Sequence, residues 1–226
     1  MNFRTQRYVL HQRRTQSVLR WSRYFFFAVG LLALGYAGYA LVDARVYQAY
    51  ETWRFEQALK RVKPAAAGVE PLHPSPLPAL AKADRAKVES PPPKGSLVGR
   101  IEISSIGLAA MIEEGDGGRT LRQAIGHIPG TALPGQQGNV VIAGHRDTFF
   151  RPLRNIHKGD EITLVTLDGS FRYRVDFTEV VSPKDIEVLG RSACPILTLV
   201  TCYPFYFVGP APQRFIVRAG KMPLCD

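Results

Sequence analysis

The chain has 226 residues, 46% of them hydrophobic, which is enough to bury one sizeable core and leaves room for additional segments. This composition excludes an intrinsically disordered protein. The formal net charge of +10 is concentrated in residues 1–23, which hold six arginines and no acidic residue, and without them the net charge is +4. The basicity therefore reflects where the N-terminus lies, and we expect no nucleic-acid partner.

An uncharged apolar run, Tyr24–Val42, follows the arginines. Its 19 residues approach the hydrocarbon thickness of a bilayer, about 30 Å, at about 1.5 Å per helical residue. A cleaved signal peptide is the alternative, but its apolar region is usually only about 7 to 15 residues long. We expect a single-pass cell-membrane anchor at 24–42, and the positive-inside rule places residues 1–23 in the cytoplasm and the rest of the chain outside it.

The segment after the anchor changes character at a proline. Asp43–Val62 is rich in helix formers and predicts a helical stalk that ends at Pro64. Pro64–Lys94 holds eight of the chain's 17 prolines together with many alanines, which is typical of a semi-rigid extended spacer. We expect residues 43–95 to hold the following domain away from the membrane surface while leaving it mobile.

Beyond Gly95 the sequence consists of short β-rich runs separated by turns. The runs are LVGRIEI, LAAMIEE, NVVIAG, EITLVTL, SFRYRVDFTEVV, ILTLVT and RFIVRAG. Short helices are expected only around Thr120–Ile125 and Phe149–Ile156. This spacing predicts an all-β domain over residues 96–226, folded as a single closed barrel of about seven or eight strands.

Three reactive side chains occur at the ends of apolar runs. His145 follows NVVIAG, Cys202 follows ILTLVT, and Arg214 begins RFIVRAG. The loop between Cys202 and Arg214 contains three prolines and a glycine, so the two flanking runs predict an antiparallel hairpin. In that hairpin Cys202 and Arg214 lie side by side, about 5 Å apart in backbone, and His145 faces them across the mouth of the barrel.

These side chains suit acyl transfer from a peptide. A thiol is the best side-chain nucleophile at neutral pH, and a nearby imidazole and guanidinium both favour its thiolate form. The imidazolium can protonate a departing amine, and a guanidinium can bind a developing oxyanion. A histidine or arginine at a strand end is usually only a polar edge residue, so the coincidence of all three carries the prediction. Asp147 and Asp168 are both candidates to orient His145.

The remaining cysteines and polar residues have structural interpretations. Cys194 and Cys225 are expected to be small buried apolar residues, with a disulfide between them left open. His127 lies in a GHIPG context that is typical of a turn. Three neighbouring acids predict a solvated turn and no metal site, because a calcium ion needs about six or more oxygen ligands. These acids are Glu113, Glu114 and Asp116.

Two long segments resemble sortases. TLVTCYPFYFVGPAPQRFIVRAG (Thr198–Gly220) resembles their TLxTC signature and the arginine that follows it, and GNVVIAGHRDTFFRPL (Gly138–Leu153) resembles the segment with their catalytic histidine. GHIPGTALPGQQGN (Gly126–Asn139) is also similar to sortase sequence, so the resemblance covers roughly Leu97–Gly220. The sequences HRDTFF and TCYPF are most similar to class D sortases.

The resemblance implies a cysteine transpeptidase, and we expect no cofactor and no metal site. Cys202 would attack a threonyl carbonyl in an LPxTG-like sorting signal, with His145 as general acid and base and Arg214 stabilising substrate and oxyanion. The partners would be secreted proteins with a C-terminal sorting signal and an amine acceptor, either a wall peptide or a pilin lysine.

The resemblance also implies residues that bind the sorting signal. Thr201 would help to shape the substrate site. The loop from about Ser182 to Cys194 would cover the signal's apolar side chain, with Ile186, Val188 and Leu189 as contact residues.

Two other functions stay open at this point. A cysteine hydrolase or L,D-transpeptidase of cell-wall peptides also pairs cysteine with histidine, although the chain lacks a GC-x-R-like nucleophile context. A catalytically silent barrel that binds a surface partner would simply bury Cys202. The reactivity of the Cys202 thiol toward a vinyl sulfone, compared with the other cysteines, separates the catalytic readings from the silent one.

Overall fold

A computed structural model describes residues 3–67, 91–207 and 209–223. The chain divides into two units, of which the first ends at Val46 and the second begins at Tyr47. Helix α1 (Phe3–Ala67) supplies the first unit and the start of the second. Within Arg20–Arg61 this helix is long and apolar enough to cross a membrane, and the apolar side chains described there are mostly exposed. It is therefore a candidate membrane span.

Helix α1 does not end at Pro64 as predicted. It continues to Ala67, about one further turn. A proline lacks an N–H and removes a single bond to the carbonyl four residues earlier, so close to the end of a helix the last turn persists without it. The predicted spacer falls largely on residues 68–90, which lie outside the described residues.

Within the described residues, eight strands close into one barrel, which confirms the predicted all-β architecture. The strands are β1 (Leu97–Ile103), β2 (Leu108–Glu114), β3 (Ile125–His127), β4 (Asn139–Ala143), β5 (Glu161–Val165), β6 (Ser170–Val181), β7 (Ile196–Tyr203) and β8 (Gln213–Lys221). Their order around the barrel is β1-β2-β3-β4-β7-β8-β6-β5, with β5 returning to β1. Neighbours pair antiparallel, except that β2 with β3 and β4 with β7 are parallel.

Short helices connect some of the strands. Helix α2 (Gly118–Gln123) and the 3₁₀ helix Arg151–Asn155 correspond to the two predicted helices. A 3₁₀ helix at Ile186–Leu189, in the loop between β6 and β7, was not predicted. Strand β3 was also missed, because its three residues are all buried and show no alternation between apolar and polar positions.

The barrel core is filled by side chains that alternate along the strands. On β7, Leu197 and Leu199 are fully buried in this core, so Thr198 and Val200 point to the outer face of the barrel. Each fully buried Leu or Ile contributes roughly 1.5–3 kcal/mol of transfer free energy, which fixes the face that each strand turns inward. The fully or nearly fully buried members of the core include Ile101, Ile103, Ile112, Ile125, Val140, Ile142, Ile162, Leu164, Tyr173, Val175 and Val217.

The part of α1 that belongs to the second unit packs against the barrel. The Gln48 side-chain oxygen accepts a hydrogen bond from the Met111 N–H at 2.9 Å, and its amide donates to the Gln123 carbonyl at 2.7 Å. Strand β3 pairs with β2 only from Ile112 onward and so does not reach Met111. Gln48 supplies the partner that the Met111 N–H would otherwise lack. Phe55 lies further along the same helix, and its side chain is only 2% exposed.

We predict that Phe55→Ala lowers the free energy of unfolding of the second unit by about 3–5 kcal/mol, because it leaves a cavity beside Leu97 and Leu167. Trp53 is the matched control, since it lies on the same helix and is 58% exposed. Trp53→Ala should change stability by no more than about 0.5 kcal/mol. Denaturant unfolding of the full chain in detergent measures both values. Equal losses for the two variants would contradict the packing of this helix on the barrel.

Candidate active site

The pairing of β7 with β8 brings Cys202 and Arg214 together. Cys202 is the penultimate residue of β7, Arg214 is the second residue of β8, and the two lie directly opposite each other in the antiparallel register. Directly opposed residues have Cα atoms about 4.5–5.5 Å apart. Both side chains are half-buried. The hairpin inferred from the sequence is therefore present, with both residues at the same end of the barrel.

The pairing of β7 with β4 brings His145 to the same end. Ala143 lies opposite Val200 in the parallel register, and the Gly144 N–H continues the pairing by donating to the Val200 carbonyl at 3.2 Å. Two residues further along each chain are His145 and Cys202. Among the described residues no hydrogen bond joins the His145 ring to the Cys202 thiol, and catalytic pairs are often loose before a substrate binds.

Side chains two residues apart on a strand share a face, so β4, β7 and β8 carry three rows of residues on one outer face of the barrel. We call this surface the groove face. Its rows are His145, Cys202 and Arg214; then Ala143, Val200 and Ile216; then Val141, Thr198 and Arg218. The first row is chemically reactive, the second is apolar, and the third ends on a second arginine. Val141 and Ile216 are fully buried on this outer face, so segments outside the barrel cover that part of it.

Comparison with known proteins agrees with this geometry. The Sortase domain family model matches residues 101–222. Sortase D of Bacillus subtilis (strain 168) is 33% identical over 199 residues, which covers 88% of this chain and 96% of that protein. The chain belongs to the sortase family. Sortases are cysteine transpeptidases, so this chain is one, and it is class D-like.

Solved sortase structures share the fold. A Clostridium perfringens Sortase D5 transpeptidase is similar with a TM-score of 0.58 and 26% identity, over 80% of this chain and 99% of that chain. Sortase C from Clostridium perfringens SM101 is similar with a TM-score of 0.52 and 32% identity, over 58% of this chain and 72% of that chain. As a member of this family, the protein acts on sorting signals and amine acceptors.

Thr201 ties the two reactive strand ends of this sortase together. Its side chain is buried, and its hydroxyl donates to the Gly144 carbonyl at 2.8 Å. Gly144 is required next to His145, because a Cβ there would lie 2.7 Å from the ring of Phe150. Thr201 alternates with Cys202 and so does not lie on the groove face. Its contribution to the substrate site, which stays a prediction, would therefore act through the backbone before His145.

Arg146 is a site residue that sequence reasoning did not single out. It is only 6% exposed, and its guanidinium donates to the carbonyls of Pro204, Phe207 and Gly209 at 3.0, 2.6 and 3.0 Å. The guanidinium carbon also lies 5.9 Å from the centre of the Phe207 ring. The residue that follows His145 thus holds the loop that follows Cys202. A guanidinium is planar and always charged and has five donors, so it can bind several loop carbonyls at once. An arginine directly after His145 was the sequence signal that could have pointed to this role.

Arg214 is held at the mouth of the barrel by its own loop. Its Nη1 donates to the carbonyls of Gln213 at 3.0 Å and Ala211 at 3.3 Å. These bonds restrict the guanidinium to the end of β8 where Cys202 lies opposite. A guanidinium in this place can donate to the oxygen of a carbonyl group whose carbon is attacked by the Cys202 sulfur.

The predicted substrate-binding residues form the 3₁₀ helix of the β6–β7 loop. Ile186, at its start, is 70% exposed, whereas Val188 and Leu189 are half-buried. The Val188 carbonyl accepts a hydrogen bond from Arg218 on the groove face. The loop therefore lies against the far end of the groove face from Cys202, and contact of these side chains with a substrate stays a prediction.

His127 is not in a turn, as its sequence context suggested, but is the last residue of β3 and is almost fully buried. Its Nδ1 lies 2.6 Å from a Glu114 carboxylate oxygen, and its Nε2 lies 2.9 Å from the Ala132 carbonyl and 3.0 Å from the Thr131 hydroxyl. Both ring nitrogens are thus occupied inside the protein. This histidine links β2, β3 and the following turn.

The acidic cluster is not a solvated turn either. Glu113 and Glu114 belong to β2 and are both buried, and only Asp116 is exposed. The Glu113 carboxylate accepts a hydrogen bond from the Tyr47 hydroxyl, and burial raises the pKa of Glu113 above its usual value. In the described part of the chain, no three His, Cys, Asp or Glu residues are grouped so that they could hold a metal ion.

The two carboxylates considered as partners of His145 have other contacts. The Asp147 carboxylate lies 3.6 Å from Nε of Arg146, and the Asp168 N–H donates to Thr166 in the turn between β5 and β6. In the described part of the chain neither carboxylate is bonded to the His145 ring.

Cys194 is disulfide-bonded, so the expectation of a simple buried thiol was wrong for it, whereas Cys202 carries a free thiol. Cys225 lies outside the described residues.

We predict that Arg146→Lys lowers transpeptidation about 10- to 100-fold, because a compact ammonium lacks the planar fork whose two Nη atoms reach three separate loop carbonyls, and the loop after Cys202 shifts. Arg151→Lys is the matched control, since Arg151 is exposed on the neighbouring 3₁₀ helix. Peptide-to-amine transfer by the full chain in detergent, followed by mass spectrometry, measures both rates. An Arg146→Lys enzyme as fast as the Arg151→Lys control would show that the bonds from Arg146 to the loop after β7 are dispensable.

Proposed function

We propose that this sortase is held in the cell membrane by a single span, with its barrel outside the cytoplasm, and cleaves an LPxTG-like sorting signal of secreted proteins. It then joins the cleaved protein to an amine on the cell surface. The observation that carries the proposal is the first row of the groove face, where neighbouring strands bring a thiol, an imidazole and a guanidinium to one end of the barrel.

In the first half of the reaction, the Cys202 thiolate attacks the threonyl carbonyl carbon of the signal. A C–S bond forms and the carbonyl oxygen becomes negative, and Arg214 donates hydrogen bonds to this oxygen. When the C=O bond re-forms, the C–N bond to the next residue breaks. The protonated His145 ring gives its proton to the departing amine, and a thioacyl enzyme remains.

In the second half, an amine from the acceptor attacks the thioacyl carbonyl. His145, now neutral, takes the proton that the amine loses as the new amide forms. The C–S bond breaks and the Cys202 thiolate is regenerated. The acceptor is a wall peptide or a pilin lysine, since both present a primary amine outside the cytoplasm.

The dimensions of the groove face fit a signal of this length. Thr198 lies four residues before Cys202 on β7, a distance of about 13 Å along a strand. Four extended residues of a peptide cover about the same distance, which is the number that precedes the cleaved bond in an LPxTG-like signal. The apolar second row would lie beneath the middle of the signal. Ile186, Val188 and Leu189 would then contact its apolar first residue.

The membrane orientation has two supports. Six arginines and no acidic residue lie within residues 1–23, on the N-terminal side of the apolar part of α1, which favours a cytoplasmic N-terminus. The disulfide at Cys194 suits an oxidising compartment outside the cytoplasm, whereas cytoplasmic thiols are usually kept reduced. The domain arrangement that follows is a cytoplasmic segment at 1–23, a span at 24–42, a connecting region at 43–95 and a catalytic barrel at 96–226.

We predict that the full chain in detergent cleaves and ligates at least one member of a library of LPxTG-like pentapeptides offered with wall-peptide and lysine amines. Cys202→Ala should abolish both reactions, and Arg214→Lys should slow them about 10²- to 10³-fold, because a single ammonium replaces the guanidinium fork. Arg172→Lys, on an exposed position of β6, is the control and should be neutral. Absence of Cys202-dependent cleavage across the library would refute the proposed substrate class.

A further inference from the structure

Three polar side chains on adjacent strands form a hydrogen-bonded chain at the far end of the groove face. Arg218 on β8 donates from Nη1 to the Thr198 hydroxyl on β7 at 2.9 Å, and that hydroxyl donates to the Asn139 side-chain oxygen on β4 at 2.6 Å. Asn139 and Thr198 are almost fully buried, and Arg218 is half-buried. This series of hydrogen bonds runs across three strands without an apolar side chain between its members.

The same three side chains end on the β6–β7 loop. The Asn139 amide nitrogen lies 3.1 Å from both the Val188 and the Gly190 carbonyl, and Arg218 Nη2 donates to the Val188 carbonyl at 3.1 Å. The last carbonyls of a helix have no partner within the helix itself. Here the barrel supplies those partners to the 3₁₀ helix Ile186–Leu189.

Partial burial of the Arg218 guanidinium costs free energy. Desolvation lowers the pKa of Arg218, and the carboxylates of Glu179 and Asp176 on β6 act in the opposite direction. A half-buried guanidinium is favourable only if its donors are satisfied, and here the Thr198 hydroxyl and the Val188 carbonyl satisfy two of them. An apolar residue would cover the same strand at less cost, so the polar group does more than fill space.

We propose that Asn139, Thr198 and Arg218 are positioning residues that hold the Ile186–Leu189 helix ready for substrate and thereby set the affinity for the first residues of the sorting signal. This inference rests on the proposed function. A loop that is already ordered loses less conformational entropy when it binds a peptide. Thr198 and Arg218 lie about 13 Å along their strands from the first row, and Asn139 lies about 20 Å from it, so the three residues act on binding and not on the reacting atoms.

The substitution Thr198→Val removes the hydroxyl that joins Asn139 to Arg218 and keeps the shape of the side chain. Arg218→Met keeps the stem and removes the donors. Arg218→Lys retains one charged donor and should restore part of the lost affinity. Arg172→Met, at an exposed position of β6, is the control for loss of a positive charge.

For the full chain in detergent, we expect Thr198→Val and Arg218→Met to raise KM for the signal peptide about 10- to 50-fold, with kcat within about threefold of the parent. The alkylation rate of Cys202 by iodoacetamide should not change, because the first row is untouched. A peptide that lacks the first two residues of the signal should be processed equally by parent and variants. An unchanged KM, or a fall in kcat with KM preserved, would overturn the inference.

Hydrogen exchange of the amides at 186–190 tests the loop without any substrate. We expect these amides to exchange at least tenfold faster in Thr198→Val and Arg218→Met than in the parent and the Arg172→Met control. Equal exchange in all four proteins would refute the positioning role even if peptide cleavage is observed. If the parent cleaves no peptide but the variants exchange faster, the substrate class fails while the role of the three residues in ordering the loop stands.

Discussion

Backbone pairing of β7 with β4 on one side and with β8 on the other determines where the reactive groups lie. Cys202 meets Arg214 through the antiparallel register and approaches His145 through the parallel one. Side chains alternate between the two faces of a strand, so a slip of one residue in either register would turn a member of this row toward the barrel interior. The buried Leu197 and Leu199 prevent such a slip, because it would expose them. The hydrophobic core thus fixes where Cys202, His145 and Arg214 lie.

Irregular segments around the groove face are held by side chains that bind carbonyl groups. Arg146 holds the loop after β7, Thr201 holds the backbone before His145, and Arg218 and Asn139 hold the loop before β7. Loops carry much of the specificity of enzymes, but their own backbone groups lack the partners that strands provide. Donors on the strands, and Arg146 three residues after β4 ends, replace these partners. The loops beside the groove face of this sortase are therefore bonded to the barrel and are not independent flaps.

Local patterns in the sequence predicted most of the barrel and the reactive row. Alternation identified the long strands, and the proline-rich loop identified the hairpin of Cys202 and Arg214, because both signals lie within a few residues of what they specify. The sequence could not show that Gln48 binds the Met111 N–H, or that His127 pairs with Glu114, because these contacts depend on the closed barrel. The same holds for Arg146, whose partners lie some sixty residues away.

The central claim is that Cys202 becomes acylated by the sorting signal. The direct measurement is to mix the full chain in detergent with a signal peptide in the absence of an acceptor amine, quench with acid, digest, and analyse the peptides by mass spectrometry. We expect the fragment containing Cys202 to gain the mass of the signal up to its threonine, and hydroxylamine to remove this mass. Cleavage of the peptide by a Cys202→Ala variant, or an acyl group found on another residue, would contradict it.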